Sequence, residues 1–371
     1  MNILFLSLQN IEFGSGPERS ILELSKYLAL RHKVTIATTD AGQKHTRISG
    51  QLTKLGIDVK QLQTSRLLPN FLTFNSLRKL IKMIRKADIV YFVYMGVYLK
   101  VVTVLMQMII RTPIVAGHHA TLLNHPHDHY HTSILSLISY KLNSSSVFLC
   151  KFYSANHVLN TTDESILRSY GVKDTFLIPL GVDVSIYCPS KKYSKFSIVF
   201  LGRLDYQKGS DILAVLWSGI KEFSNSIDMY VIGDGDYRKD IEALSADPRV
   251  KWSGYLEERE KVEILSHSHL LISPSRHEGF PLSVLEALAC GTPVISFAIP
   301  GPTETVICGK NGYIVESIPQ FVSQVFSVFN KWSDNLGYDE LCINAKESAT
   351  KFSWSAISLK IEEMLVSVVS K

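Results

Sequence analysis

Ser273-Pro-Ser-Arg-His-Glu-Gly-Phe-Pro-Leu-Ser-Val-Leu-Glu-Ala-Leu-Ala-Cys-Gly-Thr-Pro293 passes from a strand through a loop into a helix and out again. The apolar run Leu270–Ser273 ends at a proline, and Glu278-Gly279-Phe280 reads as a loop. Pro281 suits the first helical position, where its missing N–H costs nothing. Leu282, Val284, Leu285, Leu288 and Ala289 supply a buried side. Gly291 fits the position just past the helix, and Pro293 prevents continuation. A strand leading into a helix in this way is a βα unit of a parallel sheet.

Outward from that unit the same alternation recurs. Ser197–Leu201, Met229–Ile232, Val250–Trp252 and Val294–Ser296 are strand candidates, most of them followed by helical periodicity. The first half repeats the pattern with strands at Asn2–Leu8, Val34–Thr39, Ile89–Tyr94 and Ile114–Gly117. A helix near Glu18–Leu30 and the apolar segment Tyr98–Ile110 lie between them, and Val158–Asn160 and Thr175–Pro179 close the half. Two such sets predict an α/β chain of two doubly wound, Rossmann-like lobes facing a central cleft, with ligands beyond the carboxyl ends of the strands. The polar stretch Leu180–Phe196 marks the boundary. The expected domains are 1–183, 184–351 and a C-terminal helix at 352–371, for which a crossing back to the first domain is open.

With 371 residues, 46% hydrophobic and 20% charged, the chain suits two globular domains and argues against disorder. Its longest apolar run, Val101–Ile110, is too short for the ~20 residues of a membrane span. Met1-Asn2-Ile3-Leu4-Phe5-Leu6 lacks a basic leader and reads as a strand rather than a signal peptide. Five scattered cysteines, 150, 188, 290, 308 and 342, give no disulfide or metal spacing, so a cytoplasmic setting is expected. The acceptor sequons at Asn143 and Asn160 are then chance matches. The net charge of +5 divides into +9 for residues 1–185 and −4 for the remainder, so the first half suits an anionic partner.

The helix opening at Pro281 presents free N–H groups and a partial positive charge, which suits phosphate. Glu278 sits at its mouth, and Glu286 lies about two turns on. Carboxylates so placed accept hydrogen bonds from sugar hydroxyls; the plainer reading is two solvated glutamates on a capped amphipathic helix. Glu278 and Glu286, in their Glu-Gly-Phe-Pro setting, resemble the paired glutamates of the GT-B glycosyltransferases, most nearly the retaining family 4.

Other segments resemble that family in the same order. They are Gly14-Ser-Gly16-Pro-Glu-Arg19, Ile178-Pro-Leu-Gly-Val-Asp183, Phe200-Leu-Gly-Arg203-Leu-Asp-Tyr-Gln-Lys208-Gly, Val231-Ile-Gly-Asp-Gly235, Trp252-Ser-Gly-Tyr-Leu256, Gly301-Pro-Thr-Glu304 and Asn311-Gly312-Tyr313. Ser15 and Leu180 depart from the family pattern. The resemblance implies that Glu278 and Gly279 meet the donor sugar and Glu286 the ribose. It implies that Gly16, Arg203, Lys208 and the amides at Phe280, Pro281, Leu282 and Ser283 hold the diphosphate, and that Tyr255 and Leu256 meet the base. His119, after the strand Ile114–Gly117, is implied near the reacting sugar, so that His119 and Glu278 are the expected catalytic residues; the plainer reading of His119 is a polar residue lining the cleft with no catalytic role.

Fixed cations and a helix dipole stabilise a departing diphosphate without a metal, so no cofactor and no metal is expected. His125-Pro-His127-Asp128-His129, followed by His131, invites a metal reading, but Pro126 and the turn composition favour a loop touching acceptor. Asp234-Gly-Asp236 follows a strand directly and reads as a tight turn. Leu77, Leu80, Ile81 and Ile84 form the apolar stripe of a helix whose other side carries Arg78, Lys79, Lys82, Arg85 and Lys86, a pattern suited to an anionic membrane surface or to plain solvation. No nucleic-acid module is present.

The expectation is a retaining glycosyltransferase moving a sugar from a nucleotide-sugar donor, a UDP-sugar by family usage, to a glycan or lipid-linked acceptor in cell-surface polysaccharide or glycolipid synthesis. It is expected in the cytoplasm, with the inner face of the membrane as a place for peripheral attachment. Two rivals stand: a NAD-dependent oxidoreductase using Gly14, Gly16 and Asp40, and a non-catalytic sugar-nucleotide binder.

Overall fold

The computed structural model describes residues 1–7, 16–39, 52–65, 71–93, 97–119, 122 and 146–371. They divide into two compact units, Met1–Leu180 with Trp354–Lys371, and Gly181–Ser353.

The first unit holds seven strands: β1 (Asn2–Ser7), β2 (Lys33–Thr39), β3 (Asp58–Leu62), β4 (Ile89–Val93), β5 (Ile114–His118), β6 (Ala155–Val158) and β7 (Thr175–Leu177). They pair in the order β3-β2-β1-β4-β5-β6-β7, all parallel. Both faces of the sheet are covered, so β4 and β5 are buried at every position and read as continuous apolar runs. Its helices are α1 (Gly16–Leu28), α2 (Phe74–Ile84), α3 (Val97–Ile110) and α4 (Thr161–Ser169). A 3-10 helix runs over Ser146–Phe152. The strand expected at Val158–Asn160 lies earlier, because Asn160 caps α4: its side chain accepts the Asp163 N–H at 2.8 Å.

The second unit holds β8 (Phe196–Leu201), β9 (Ile227–Ile232), β10 (Val250–Trp252), β11 (Leu270–Ser273), β12 (Val294–Phe297) and β13 (Gly312–Val315). These form a parallel sheet in the order β10-β9-β8-β11-β12-β13. Its helices are α5 (Leu213–Phe223), α6 (Arg238–Leu244), α7 (Glu258–His267), α8 (Leu282–Ala289), α9 (Pro302–Thr305), α10 (Ile318–Ser333) and α11 (Tyr338–Thr350). Its strand order reverses between β8 and β11, the kind of switch point where doubly wound sheets bind ligands.

The last helix, α12 (Trp354–Val369), belongs to the first unit and packs on α1. Glu362 of α12 accepts from Arg31 and, at 2.7 Å, pairs with His32 Nε2. Lys371 pairs with Asp174.

Candidate functional site

The helix foreseen from the quoted stretch is α8, and it ends as its residues dictate. Gly291 takes a φ of 63°, its N–H bonds the Leu288 carbonyl at 2.9 Å, and the Thr292 N–H reaches the Ala287 carbonyl at 2.9 Å. These are the two bonds of a Schellman motif. Its start differs from expectation by one position. Pro281 is extended, with φ −81° and ψ 105°, and caps the helix rather than entering it. As a proline it offers no amide, so the donors aimed past the helix mouth come from Leu282 and Ser283, whose N–H groups have no intrahelical acceptor.

The two glutamates are not solvated. Glu278 is 6% and Glu286 4% exposed, and every residue from Val284 to Ala289 is buried. Glu278 Oε1 receives Lys208 Nζ at 2.5 Å and the Ser275 hydroxyl at 2.8 Å. Glu286 Oε1 receives Lys261 Nζ at 3.1 Å and lies 3.1 Å from the Tyr187 hydroxyl, whose proton it shares with Glu258 Oε1 at the same distance. Lys261 also lies 5.2 Å from the centre of the Tyr187 ring, a cation over an aromatic face. Burial of each carboxylate is offset by a cation and a hydroxyl, as a buried charge requires.

Lys208 reaches Glu278 because two loops, 202–209 and 274–281, are tied together. Gly209 has a φ of 70°, and a Cβ there would meet the Pro274 carbonyl oxygen at 2.1 Å. Only glycine permits that approach. Across the same seam Arg276 forms a bidentate pair with Asp211, both bonds 2.7 Å, and its guanidinium lies 3.7 Å from the Tyr206 ring centre. The Arg276 N–H donates to the Gln207 carbonyl at 2.8 Å, and Gln207 Nε2 donates to the His277 carbonyl at 3.2 Å. Arg203 is exposed beside this seam, paired with Asp205 at 2.8 Å and Gln207 Oε1 at 3.0 Å. Gly301, with a φ of 89°, brings its backbone to Pro281 and Glu278. Tyr255 is exposed and Leu256 half-buried after β10. Asp234 accepts the Gly235 N–H at 2.8 Å in the tight turn foreseen after β9.

His119 follows β5 in the first unit and is buried. Both of its ring nitrogens are engaged. Nδ1 meets the Ser20 hydroxyl at 2.7 Å, and Nε2 meets the Tyr91 hydroxyl at 2.9 Å. Tyr91 also meets His157 Nδ1 at 2.5 Å, and His157 Nε2 donates to the Ile178 carbonyl at 2.6 Å. That carbonyl fixes the run. With neutral rings, His157 carries its proton on Nε2, Tyr91 donates to His157, and His119 donates from Nε2 to Tyr91; the single proton of the Ser20 hydroxyl is shared between two acceptors at 2.7 Å, His119 Nδ1 and the Pro17 carbonyl. Burial supports neutrality: it lowers the pKa of His157 to about 4 and takes that of His119 well below the usual histidine value. His118 faces Asn156 at 3.0 Å and is likewise lowered, to about 3, by burial.

Gly16 is the first residue of α1, while Gly14, Ser15 and Asp40 lie outside the described residues. So do His125, His127, Asp128, His129 and His131. Among the described residues no group of three metal-ligating side chains comes together. Tyr187, Ser275 and Lys261 escaped the sequence reading. Tyr187 is 99 residues from its glutamate, and no local pattern marks it.

The family described as "Glycosyltransferase Family 4" matches residues 14–186, and that described as "Glycosyl transferases group 1" matches residues 189–328. The chain belongs to the GT-B glycosyltransferases. The chain is 24% identical over 164 residues to the GDP-mannose-dependent alpha-(1-6)-phosphatidylinositol dimannoside mannosyltransferase of Mycobacterium tuberculosis, covering 41% of this chain and 43% of that protein. It is 25% identical over 230 residues to the lipopolysaccharide 1,6-galactosyltransferase of Salmonella typhimurium, covering 58% and 60%. The chain thus spans about half the length of these curated relatives. The crystal structure of Anabaena HepE in complex with UDP-glucose shares the fold, with a TM-score of 0.77, 20% identity and coverage of 99% and 100%.

Proposed function

We propose that this glycosyltransferase moves a sugar, with retention, from a nucleotide-sugar donor to a glycan or lipid-linked acceptor in cell-surface polysaccharide or glycolipid synthesis. One observation carries the reading: at the mouth of α8 a buried carboxylate, Glu278, a cation, Lys208, and the first-turn amides of the helix converge. Lys208, Arg203, Gly16, Phe280 and the amides of Leu282 and Ser283 hold the diphosphate. Glu278 and Gly279 orient the sugar, Glu286 takes the ribose, and Tyr255 and Leu256 border the base. A UDP-sugar is the favoured donor, supported by the HepE complex with UDP-glucose. The second unit takes the donor and the first the acceptor.

As the sugar–phosphate bond breaks, charge grows on the leaving diphosphate. Two cations and a helix N-terminus stabilise it there, so a divalent metal is not required. The donor phosphate takes the acceptor's proton as the hydroxyl attacks from the same face. His119, held neutral by burial, serves as an uncharged polar group beside the reacting sugar rather than as an acid. The exposed cations of and after α2, Arg78, Lys79, Lys82, Arg85 and Lys86, face an anionic membrane surface. Their exposure supports peripheral attachment to the inner face of the cytoplasmic membrane.

The test is release of nucleoside diphosphate from a panel of UDP-, GDP- and ADP-sugars in EDTA, with and without an acceptor extract. One donor is expected to be turned over, and Glu278→Gln to lower that rate by about 10²-fold or more. A folded wild-type protein that binds a donor but never releases sugar would overturn the enzymatic reading.

A further inference from the structure

Leu80 and Ile84 of α2, Val104 and Met106 of α3, and Val147 and Cys150 of the 3-10 helix all pack into one buried cluster with Leu4, Leu6, Val90 and Phe92 of the sheet. The three elements therefore cover the same face of the first sheet. The ends of α2 and α3 are joined by the Thr112 hydroxyl, which donates to the Ile84 carbonyl at 3.2 Å. Gln107 of α3 donates to the Phe152 carbonyl at 2.8 Å.

The outer side of this layer is unusual in two respects. Val101, Leu105, Met108 and Ile109 fall at helical spacing on the outward side of α3, and Met108 and Ile109 are 67% and 75% exposed. Phe148 and Phe152 are exposed beside them, with Lys151 Nζ 5.8 and 5.4 Å from their ring centres. None of the three elements contains an Asp or Glu. An apolar stripe of this kind is rarely left to water, and here it adjoins the basic stripe of α2.

We infer that this layer is a bilayer-docking face: Leu105, Met108, Ile109, Phe148 and Phe152 enter the interface between headgroups and acyl chains, while the α2 cations and Lys151 meet anionic headgroups. The charge pattern selects the occupant. A lipid surface rich in phosphate satisfies cations along a broad front, and an apolar stripe beside them gains by leaving water. No described helix is long and apolar enough to cross a membrane, so the mode is interfacial. The inference rests on the membrane reading of α2 and adds what anchors it.

The test is co-sedimentation of the full chain with phosphatidylcholine vesicles, with and without phosphatidylglycerol. Wild type is expected to partition onto the anionic vesicles, less so as salt shortens the screening length. Arg78→Glu with Lys82→Glu should lower partitioning by about tenfold or more, since each cation near the surface is worth about fivefold. Met108→Ser with Ile109→Ser should also lower it by about tenfold at unchanged fold, because both side chains are already in solvent. Phe148→Ser with Phe152→Ser is the second anchor variant. Leu336→Ser, an exposed position in the second unit, should change nothing.

Equal binding to neutral and anionic vesicles would overturn the α2 reading. Anionic binding untouched by either serine pair would overturn the insertion while leaving α2 standing. A dimer dissociated by Met108→Ser with Ile109→Ser, and no vesicle binding, would overturn both in favour of self-association.

Discussion

Lys208 Nζ lies 2.5 Å from Glu278 Oε1, so the cation assigned to the diphosphate and the carboxylate assigned to the sugar are held by each other. The pair is well shielded, with side-chain exposures of 18% and 7%. Donor binding under the proposed function therefore exchanges one partner for another: phosphate for Glu278 at the lysine, sugar hydroxyls for Lys208 at the glutamate. The pair keeps charge at the site without leaving a buried ion bare.

Removing one partner strands the other. Lys208→Ala leaves a buried carboxylate with the Ser275 hydroxyl as its one remaining donor among the described residues, and a loss of about 3 kcal/mol is expected. Glu278→Gln keeps an oxygen for both donors, and a loss of about 1 kcal/mol is expected. Urea unfolding of the two variants and their double mutant gives the coupling. Additive losses would show that the pair contributes nothing as a pair.

Gly209→Ala places a methyl against the Pro274 carbonyl at a φ of 70°. The two loops must part, and a stability loss of more than about 2 kcal/mol is expected. Turnover should fall beyond what the remaining folded fraction explains, because Lys208 is displaced from Glu278. Unchanged turnover per folded molecule would separate the loop seam from the site.

Tyr187→Phe removes one donor to Glu286 and keeps the ring beside Lys261. A loss of about 1 kcal/mol in stability is expected. Nucleotide affinity should drop less than in Glu286→Gln, since Tyr187 acts through the glutamate. Calorimetric titration of both variants decides the order.

Four buried histidines make the protein acid-sensitive. Burial lowers His118 and His269 to about 3 and His157 to about 4, and lowers His119 as well. Unfolded histidines titrate near ~6.5, so below that pH the unfolded chain binds more protons than the folded one, and stability falls as pH falls. Each proton contributes a slope of about 1.4 kcal/mol per pH unit between ~6 and ~4. Midpoints of denaturant unfolding across that window should drop steeply, and less so in His157→Gln. A flat profile would mean that the rings are charged in the fold.

The α8 stretch was legible in sequence because everything that shapes it is local: an apolar run, a loop, a proline, helical spacing and a glycine stop. The burial of its glutamates was not, because Lys208 is 70 residues from Glu278 and Tyr187 is 99 from Glu286. β3, Asp-Val-Lys-Gln-Leu, escaped because only its last residue is buried at the sheet edge, which leaves no apolar run to read. β13 escaped because it opens on Gly312, whose absent side chain lets it lie against the Val294 backbone. His119 was singled out by its place after a strand and by the family resemblance. Its engagement with Ser20 and Tyr91 depends on the sheet bringing β4, β5 and α1 together.

The central claim is a donor site at the mouth of α8, charged by the protein's own cations. Its most direct measurement is calorimetric titration of UDP, GDP, ADP and NAD, in EDTA, into wild type, Lys208→Ala, Arg203→Ala and Glu286→Gln. One nucleoside diphosphate is predicted to bind wild type without metal, and each variant to weaken it by about tenfold or more. Binding of NAD alone, or a nucleoside diphosphate bound equally by all four proteins, would contradict it.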